Sequence, residues 1–237
     1  MRGLLVRVGA DLTDGGGRWN GPVDADSRRF AYVPIPERKP CLPGFETPYL
    51  KIRKAAATFQ VELPPHLAEE RMHLDPDFEY LTYGDRGPKG QQLLTTLSSG
   101  DLVVFYSGLR DVRTTNLVYA IIGLFIVDRI VSARTVTVAD AHRNAHTRRV
   151  LPPDADDIIV LARENGSGRL TRCVPIGEYR ARAYRVTEAL LAAWGGLSVR
   201  DGYLQRSAVF PALSDTARFW KWWQSQNVEL VKANNLS

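Results

Sequence analysis

The chain has 237 residues, 44% of them hydrophobic and 24% charged, with a formal net charge of +5, which is the balance of an ordinary soluble globular protein. Its two cysteines, Cys41 and Cys173, stand far apart and outside any CxxC pattern. That excludes a disulfide framework and a zinc knuckle, and it fits a reducing cytoplasm.

Residues 2–9 read as an opening strand in which Arg7 interrupts the apolar stretch, and with no small-residue cleavage site following, no signal peptide is expected. The loop that follows, residues 11–22, holds three consecutive glycines but matches neither GxGxxG nor GxxxxGK[ST], so a standard phosphate cradle is not expected. Phe30 to Pro36 reads as a short edge strand closed by prolines. Pro40, Pro43, Pro48, Pro64 and Pro65 then forbid long regular elements. The aromatics among them (Trp19, Phe30, Tyr32, Phe45, Tyr49) favour packing over disorder, so this stretch is expected to wrap the domain.

The block Asp75-Pro76-Asp77-Phe78-Glu79-Tyr80-Leu81-Thr82-Tyr83-Gly84-Asp85 is too polar and turn-rich to read as core, yet it carries three aromatics, and it is expected to contact a ligand. Pro88 at a first-turn position opens a helix that Ser98-Ser99-Gly100 ends. Asp101 to Gly108 is a buried strand, and Val118 to Val127 is its antiparallel partner across a polar loop. The apolar run Leu117 to Ile126 is about half of what a bilayer crossing needs. Ile130 to Val138 alternates as a half-exposed strand. Residues 139–149 are helix-permissive, which puts His142 and His146 on one face, and Ile158 to Ala162 is a further core strand. Thr187 caps a helix ended by Gly195-Gly196. Ser214 or Asp215 caps another bearing Phe219, Trp220, Trp222 and Trp223, which either docks on its own domain or offers an indole to a partner.

From Arg169 onward the basic residues outnumber the acidic ones by the whole net charge, a bias that attracts polyanions or is simply a solvated face. Asp75, Asp77 and Glu79 alternate, so in an extended segment their carboxylates share a face and repel one another; they serve acid–base or metal chemistry, or are turn carboxylates. His73 has no companion at a recognised ligand spacing, and no metal ligand is expected. Tyr83, Asp85 and Arg110 suit a flat base if the chain returns beside Tyr106: a ring stacks, a carboxylate accepts from an exocyclic amine, and a guanidinium holds a carbonyl edge or phosphate. Arg143, Arg148 and Arg149 are candidates for phosphate contact.

Two resemblances bear on function. Gly100-Asp101-Leu102-Val103-Val104-Phe105-Tyr106 with Tyr119-Ala120-Ile121-Ile122-Gly123-Leu124-Phe125 resembles the adjacent walls of PUA-like barrels, especially their EVE and ASCH relatives, and implies a barrel that binds RNA or a flipped modified base. The N-terminal strand with Asp11 and Trp19, the FAYVPIPE segment from Phe30 to Glu37, the DPDFEYLTYGD block and the GDLVVFYSGLR strand together resemble the nucleotide modification associated domain 3 family, linked to DNA base modification. That resemblance implies a role on nucleic acid or modified nucleotides but brings no assigned reaction, cofactor or catalytic residue.

The expected architecture is therefore a single α+β domain over 1–237 with a mainly antiparallel, partly closed PUA/EVE-like barrel, peripheral helices and proline-rich loops. Pro152-Pro153 is the one candidate boundary, between a barrel-containing 1–151 and a basic helical 154–237. The expected function is recognition of nucleic acid, DNA before RNA, or of a modified nucleotide, in the cytoplasm and off the membrane. Trp19, Tyr83, Asp85, Tyr106 and Arg110 are placed around the base, and the three arginines towards phosphates. The alternative is a base- or nucleotide-modifying enzyme using Asp11, Asp75, Asp77 or Asp85.

Overall fold

The computed structural model describes residues 1–205 and 207–235. In chain order, strand β1 is Gly3–Arg7, β2 Pro22–Val23 and β3 Ile35–Pro36; helices α1 (Arg53–Ala57) and α2 (Pro65–Ala68) follow, then β4 (Met72–His73) and β5 (Thr82–Asp85). Helix α3 (Gly87–Thr96) leads into β6 (Leu102–Asp111) and the long β7 (Leu117–Ser132), then β8 (Ile158–Ala162), β9 (Gly168–Pro175), β10 (Gly177–Arg180) and β11 (Ala183–Val186). Helices α4 (Glu188–Trp194) and α5 (Thr216–Ser225) and strand β12 (Leu230–Val231) end the chain.

The main sheet is built on the β6–β7 antiparallel hairpin, as the apolar runs predict. β1 lies parallel to the first half of β6, and β2 lies parallel to its end. β7 is long enough to serve two partners: Ala120 to Leu124 pair with β9, and from Val127 to Ser132, across a bulge at Asp128, the strand pairs with β8, which in turn pairs with β5. Of the segment Ile130 to Val138 expected as a separate strand, only Ile130 to Ser132 is strand, and it is the tail of β7; Ser132 then caps a 3-10 turn over Ala133–Thr135 that ends the ladder. The strands run as an open path from β1 to β5. No closed barrel is found among the described residues, so the sheet is mixed, mainly antiparallel and open where a partly closed barrel was expected.

The core lies against β6 and β7. Phe78, Phe105 and Phe125 meet edge to face with centroids 4.7–5.7 Å apart, and all three are fully buried. Phe78 enters because β7 carries Gly123 at that point; a Cβ there would sit 2.4 Å from the ring. The acidic block is thus part core, contrary to its polar composition. The chain turns between a backbone pair at Asp77 and Thr82, so Asp75, Asp77 and Glu79 do not form the extended face that their spacing suggests. The proline-rich stretch has only short helices and packs Tyr49, Ile52 and Leu67 into a second small core, with Trp19 partly buried against it. At the other end Thr187 accepts from Leu190 N to cap α4, Gly195 ends it at φ 79°, and Asp215 caps α5. The tryptophan-rich α5 docks on α4 through Trp194, Phe219 and Trp222. Among the described residues no helix is long and apolar enough to cross a membrane.

Candidate functional site

A cleft of about 440 Å³ opens where the end of β1, β5, the start of α3, Gln205 and residues 207–211 converge. Its lining includes Arg7, Asp11, Tyr83, Asp85, Arg86, Lys89, Tyr106 and Phe210, together with His73, Asp75, His146 and Arg149. Arg86 and Lys89 therefore offer cations to a ligand, while the rings of Tyr83, Tyr106 and Phe210 border the cleft with little of their surface exposed.

The inner cluster is assembled from four separated segments. β4 delivers His73, and the chain continues through Asp75 into β5; the loop after the 3-10 turn Val138–Arg143 delivers His146 and Arg149; Asp157 stands just before β8; Glu37 follows β3. The helix expected over residues 139–149 stops at Arg143, so His142 and His146 do not share a face: His142 is half-buried and His146 is buried. The break has a local cause. Asn144 leaves helical geometry, its side-chain oxygen accepts from His146 N at 2.8 Å, and its amide donates to Asp75 Oδ1 at 2.9 Å and Thr82 Oγ1 at 3.1 Å.

Each imidazole is held by a carboxylate at Nδ1: His73 by Glu37 at 2.7 Å, His146 by Asp157 in a very close contact. A carboxylate only accepts, so both rings carry the proton on Nδ1 and turn Nε2 elsewhere. Both Nε2 atoms face Asp75 Oδ2, at 4.0 Å from His73 and 3.6 Å from His146, beyond hydrogen-bond length. Asp75 itself is fixed from behind by Gly84 N, 3.0 Å from both carboxylate oxygens. Arg149 links the two orienting acids, with both its hydrogen bonds to Glu37 at 3.0 Å and its guanidinium 3.8 Å from Asp157. His73, Asp75 and His146 therefore offer one ligand atom each, all within 4.8 Å of one another, and among the described residues they form the group that could hold a metal. The expectation of no metal ligand rested on local spacing, which does not register this assembly.

The charges respond to this burial. Burial alone raises the Glu37 carboxyl, but hydrogen bonds from His73 and Arg149 outweigh it and hold the group near 2. Burial lowers His73 and keeps it neutral, since its Glu37 contact does not compensate. Burial also opposes charge on His146, yet Asp157 and Asp75 together raise it to about 9. On the cleft wall, burial and then the Asp85 and Asp75 charges push the Tyr83 hydroxyl well above its ordinary range, so it stays a donor, to Asp85 Oδ2 at 3.0 Å.

Of the residues expected at the site, Asp11, Asp75, Tyr83, Asp85, Tyr106 and Arg149 come together at the cleft. Asp77 does not: it is fully buried and paired with Arg148 at 2.7 Å, which also removes Arg148 from phosphate contact. Arg110 donates to Thr115 O in the β6–β7 loop, Trp19 packs on the small core, and Arg143 is exposed beside Asp140 at 3.2 Å. The basic bias of the last third is also partly spent internally. Arg180 and Arg185 meet Asp201, Lys232 meets Glu164, and Arg169 is buried over the Phe30 ring.

Fold and site together define a mixed α+β protein whose candidate centre is a buried histidine–carboxylate cluster beneath an open, basic and aromatic cleft. Its membership can be stated more narrowly. The chain belongs to the nucleotide modification associated domain 3 family, whose model matches residues 2–235, nearly the whole chain. No curated protein and no solved structure matches it. The link to nucleotide modification agrees with the family resemblance of the sequence, whereas the PUA/EVE likeness has no barrel to support it.

Proposed function

We propose that this protein is an enzyme that modifies a base or nucleotide, DNA before RNA, with its reaction centre at His73, Asp75 and His146. One observation supports this over a pure reader. A reader needs shape, stacking and a few edge contacts, whereas this cleft has at its base three buried carboxylates, two buried imidazoles and a guanidinium. Burying charge opposes folding unless every group is paired, and such clusters are concentrated where chemistry needs tuned protonation. Recognition is part of the same reading. Tyr83 and Phe210 give the cleft an aromatic edge, Asp85 an acceptor for an exocyclic amine, and Arg86 and Lys89 cations for a phosphate.

The test is the nucleoside composition of DNA, by mass spectrometry, from cells with and without the protein. A changed nucleoside that disappears in His146→Ala and Asp75→Asn supports the enzyme. An unchanged composition, with tight binding of modified oligonucleotides that Asp85→Asn abolishes, supports a reader in its place.

A further inference from the structure

We infer that His73 Nε2, Asp75 Oδ2 and His146 Nε2 are the protein ligands of one divalent first-row transition metal ion, held on one face and leaving its other positions open to the cleft. The inference rests on the reading of this cluster as the reaction centre, and it adds the cofactor class.

Four features carry it. The three atoms converge on one another without bonding to one another, at 3.6 and 4.0 Å from Asp75 Oδ2 and all within 4.8 Å. An ion about 2.1 Å from each ligand requires neighbouring ligands roughly 3.0–3.4 Å apart, so Asp75 closes on each ring by about 1 Å or less and the two rings close on each other by at most about 1.8 Å to complete the site. Second, each imidazole has the outer carboxylate partner that metal-bound histidines have, Glu37 on one and Asp157 on the other, and the Asp75 carboxylate is itself anchored by Gly84 N and Asn144. An acid–base site needs one imidazole poised by one acid; two rings oriented in the same way towards one carboxylate oxygen is a ligand geometry.

Third, ligation requires both rings neutral, and the cluster then sets three carboxylates, Glu37, Asp75 and Asp157, against the Arg149 guanidinium, an excess of buried negative charge that a divalent ion offsets in place of a proton on His146. Fourth, the donor set selects among ions. Two imidazoles and one carboxylate suit iron(II), manganese(II), cobalt(II) or zinc(II), whereas magnesium and calcium are held by oxygen. Three ligands on one side, with the cleft opposite, match the arrangement that binds iron(II) with free positions.

The experiment uses the full chain, stripped with a chelator and desalted. It is titrated anaerobically with iron(II) and, as an optical probe, cobalt(II), with metal content read by plasma mass spectrometry. One equivalent is expected per chain, with cobalt(II) showing ligand-field bands. His146→Ala and Asp75→Asn lose stoichiometric uptake, and His142→Ala, which removes a histidine four residues away, keeps it. Glu37→Gln and Asp157→Asn, whose folding is checked by circular dichroism, retain one equivalent at saturation but bind roughly 10–100-fold more weakly, as loss of an outer partner does. Magnesium taken up in preference to cobalt or iron, no stoichiometric uptake, or undiminished uptake by folded His146→Ala or Asp75→Asn overturns the assignment. Uptake without any change in DNA nucleosides keeps the metal site and removes the proposed function. Modification that persists in chelator without uptake does the reverse.

Discussion

Asp77 and Arg148 test how far charged residues can be assigned by residue type alone. As sequence, one is a candidate catalytic acid and the other a phosphate contact; in the fold they neutralise each other. Asp77 is wholly enclosed, its Oδ2 taking the Arg148 guanidinium at 2.7 Å and its Oδ1 the Asn234 amide at 3.0 Å and Glu79 N at 3.1 Å. Arg148 also donates to His142 O at 2.6 Å. Replacing Arg148 by Met removes the cation and leaves an anion without its counter-charge, a loss of about 3–5 kcal/mol. At an m-value of roughly 3 kcal/mol/M, the urea midpoint falls by about 1–1.7 M. Asp77→Leu alone is also destabilising, because it strands the guanidinium. The double variant recovers much of the loss, and the coupling from the cycle is the diagnostic quantity. The assay is equilibrium urea unfolding followed by tryptophan fluorescence for the four proteins. Additive losses, or an Arg148→Met protein of unchanged midpoint that binds DNA more weakly, would refute the argument and return Arg148 to the phosphate surface.

Three further outcomes are expected. Gly84→Ala puts a Cβ 2.6 Å from the His146 ring and 3.0 Å from the Asn144 side chain, so the ring is displaced; thermal unfolding moves down, and metal uptake falls more than it does in a surface variant such as Arg134→Ala. Burial raises the Asp101 carboxyl, but hydrogen bonds from Arg2 N and from Ser98 N and Oγ outweigh it and hold the group below its ordinary 3.8. Its stabilisation is therefore present above pH 3.8 and lost as pH falls through the lower folded-state value, so acid unfolding curves of the wild type and Asp101→Asn converge towards low pH and diverge towards neutrality. Tyr83→Phe removes the donor 3.0 Å from Asp85 and leaves that carboxylate freer to accept from a ligand, so competition between oligonucleotides carrying different exocyclic groups shifts while metal content does not.

Local pattern made some of this molecule legible. The β6–β7 hairpin, β8, α3 and the capped α4 and α5 are legible because their signals lie within a dozen residues: apolar runs, a first-turn proline, Thr187 and Asp215 at helix starts. Half the site is legible in the same way, since Asp75, Tyr83 and Asp85 lie in one acidic aromatic block. The other half is not. Glu37 reaches Arg149 across 112 residues, Asn144 reaches Asp75 across 69, and the two imidazoles touch edge to face at 4.8 Å although no spacing relates them. The one usable sign is that His73 stands two residues from Asp75 where the chain leaves β4, which puts two ligand types close together without saying what completes them. The acidic block misled for a different reason. Its polarity is spent inward, with Asp77 on Arg148 and Asp75 on Gly84 N, and composition alone does not distinguish an inward-facing acid from a solvated one.

The pairing of β5 with β8 has a consequence during synthesis. A nascent chain presents His73 and Asp75 to solvent while the residues that complete their surroundings are still inside the ribosome. Thr82 to Asp85 have no neighbouring strand until Ile158 to Leu161 emerge, and Asp157 comes out immediately ahead of them. A fragment truncated at Pro153 thus owns both imidazoles but neither the acid that orients His146 nor the strand that seats β5. Genetic dissection of this protein should therefore keep everything through Ala162 in one piece, since a break at the paired prolines, inviting as it looks, severs the centre from its own support.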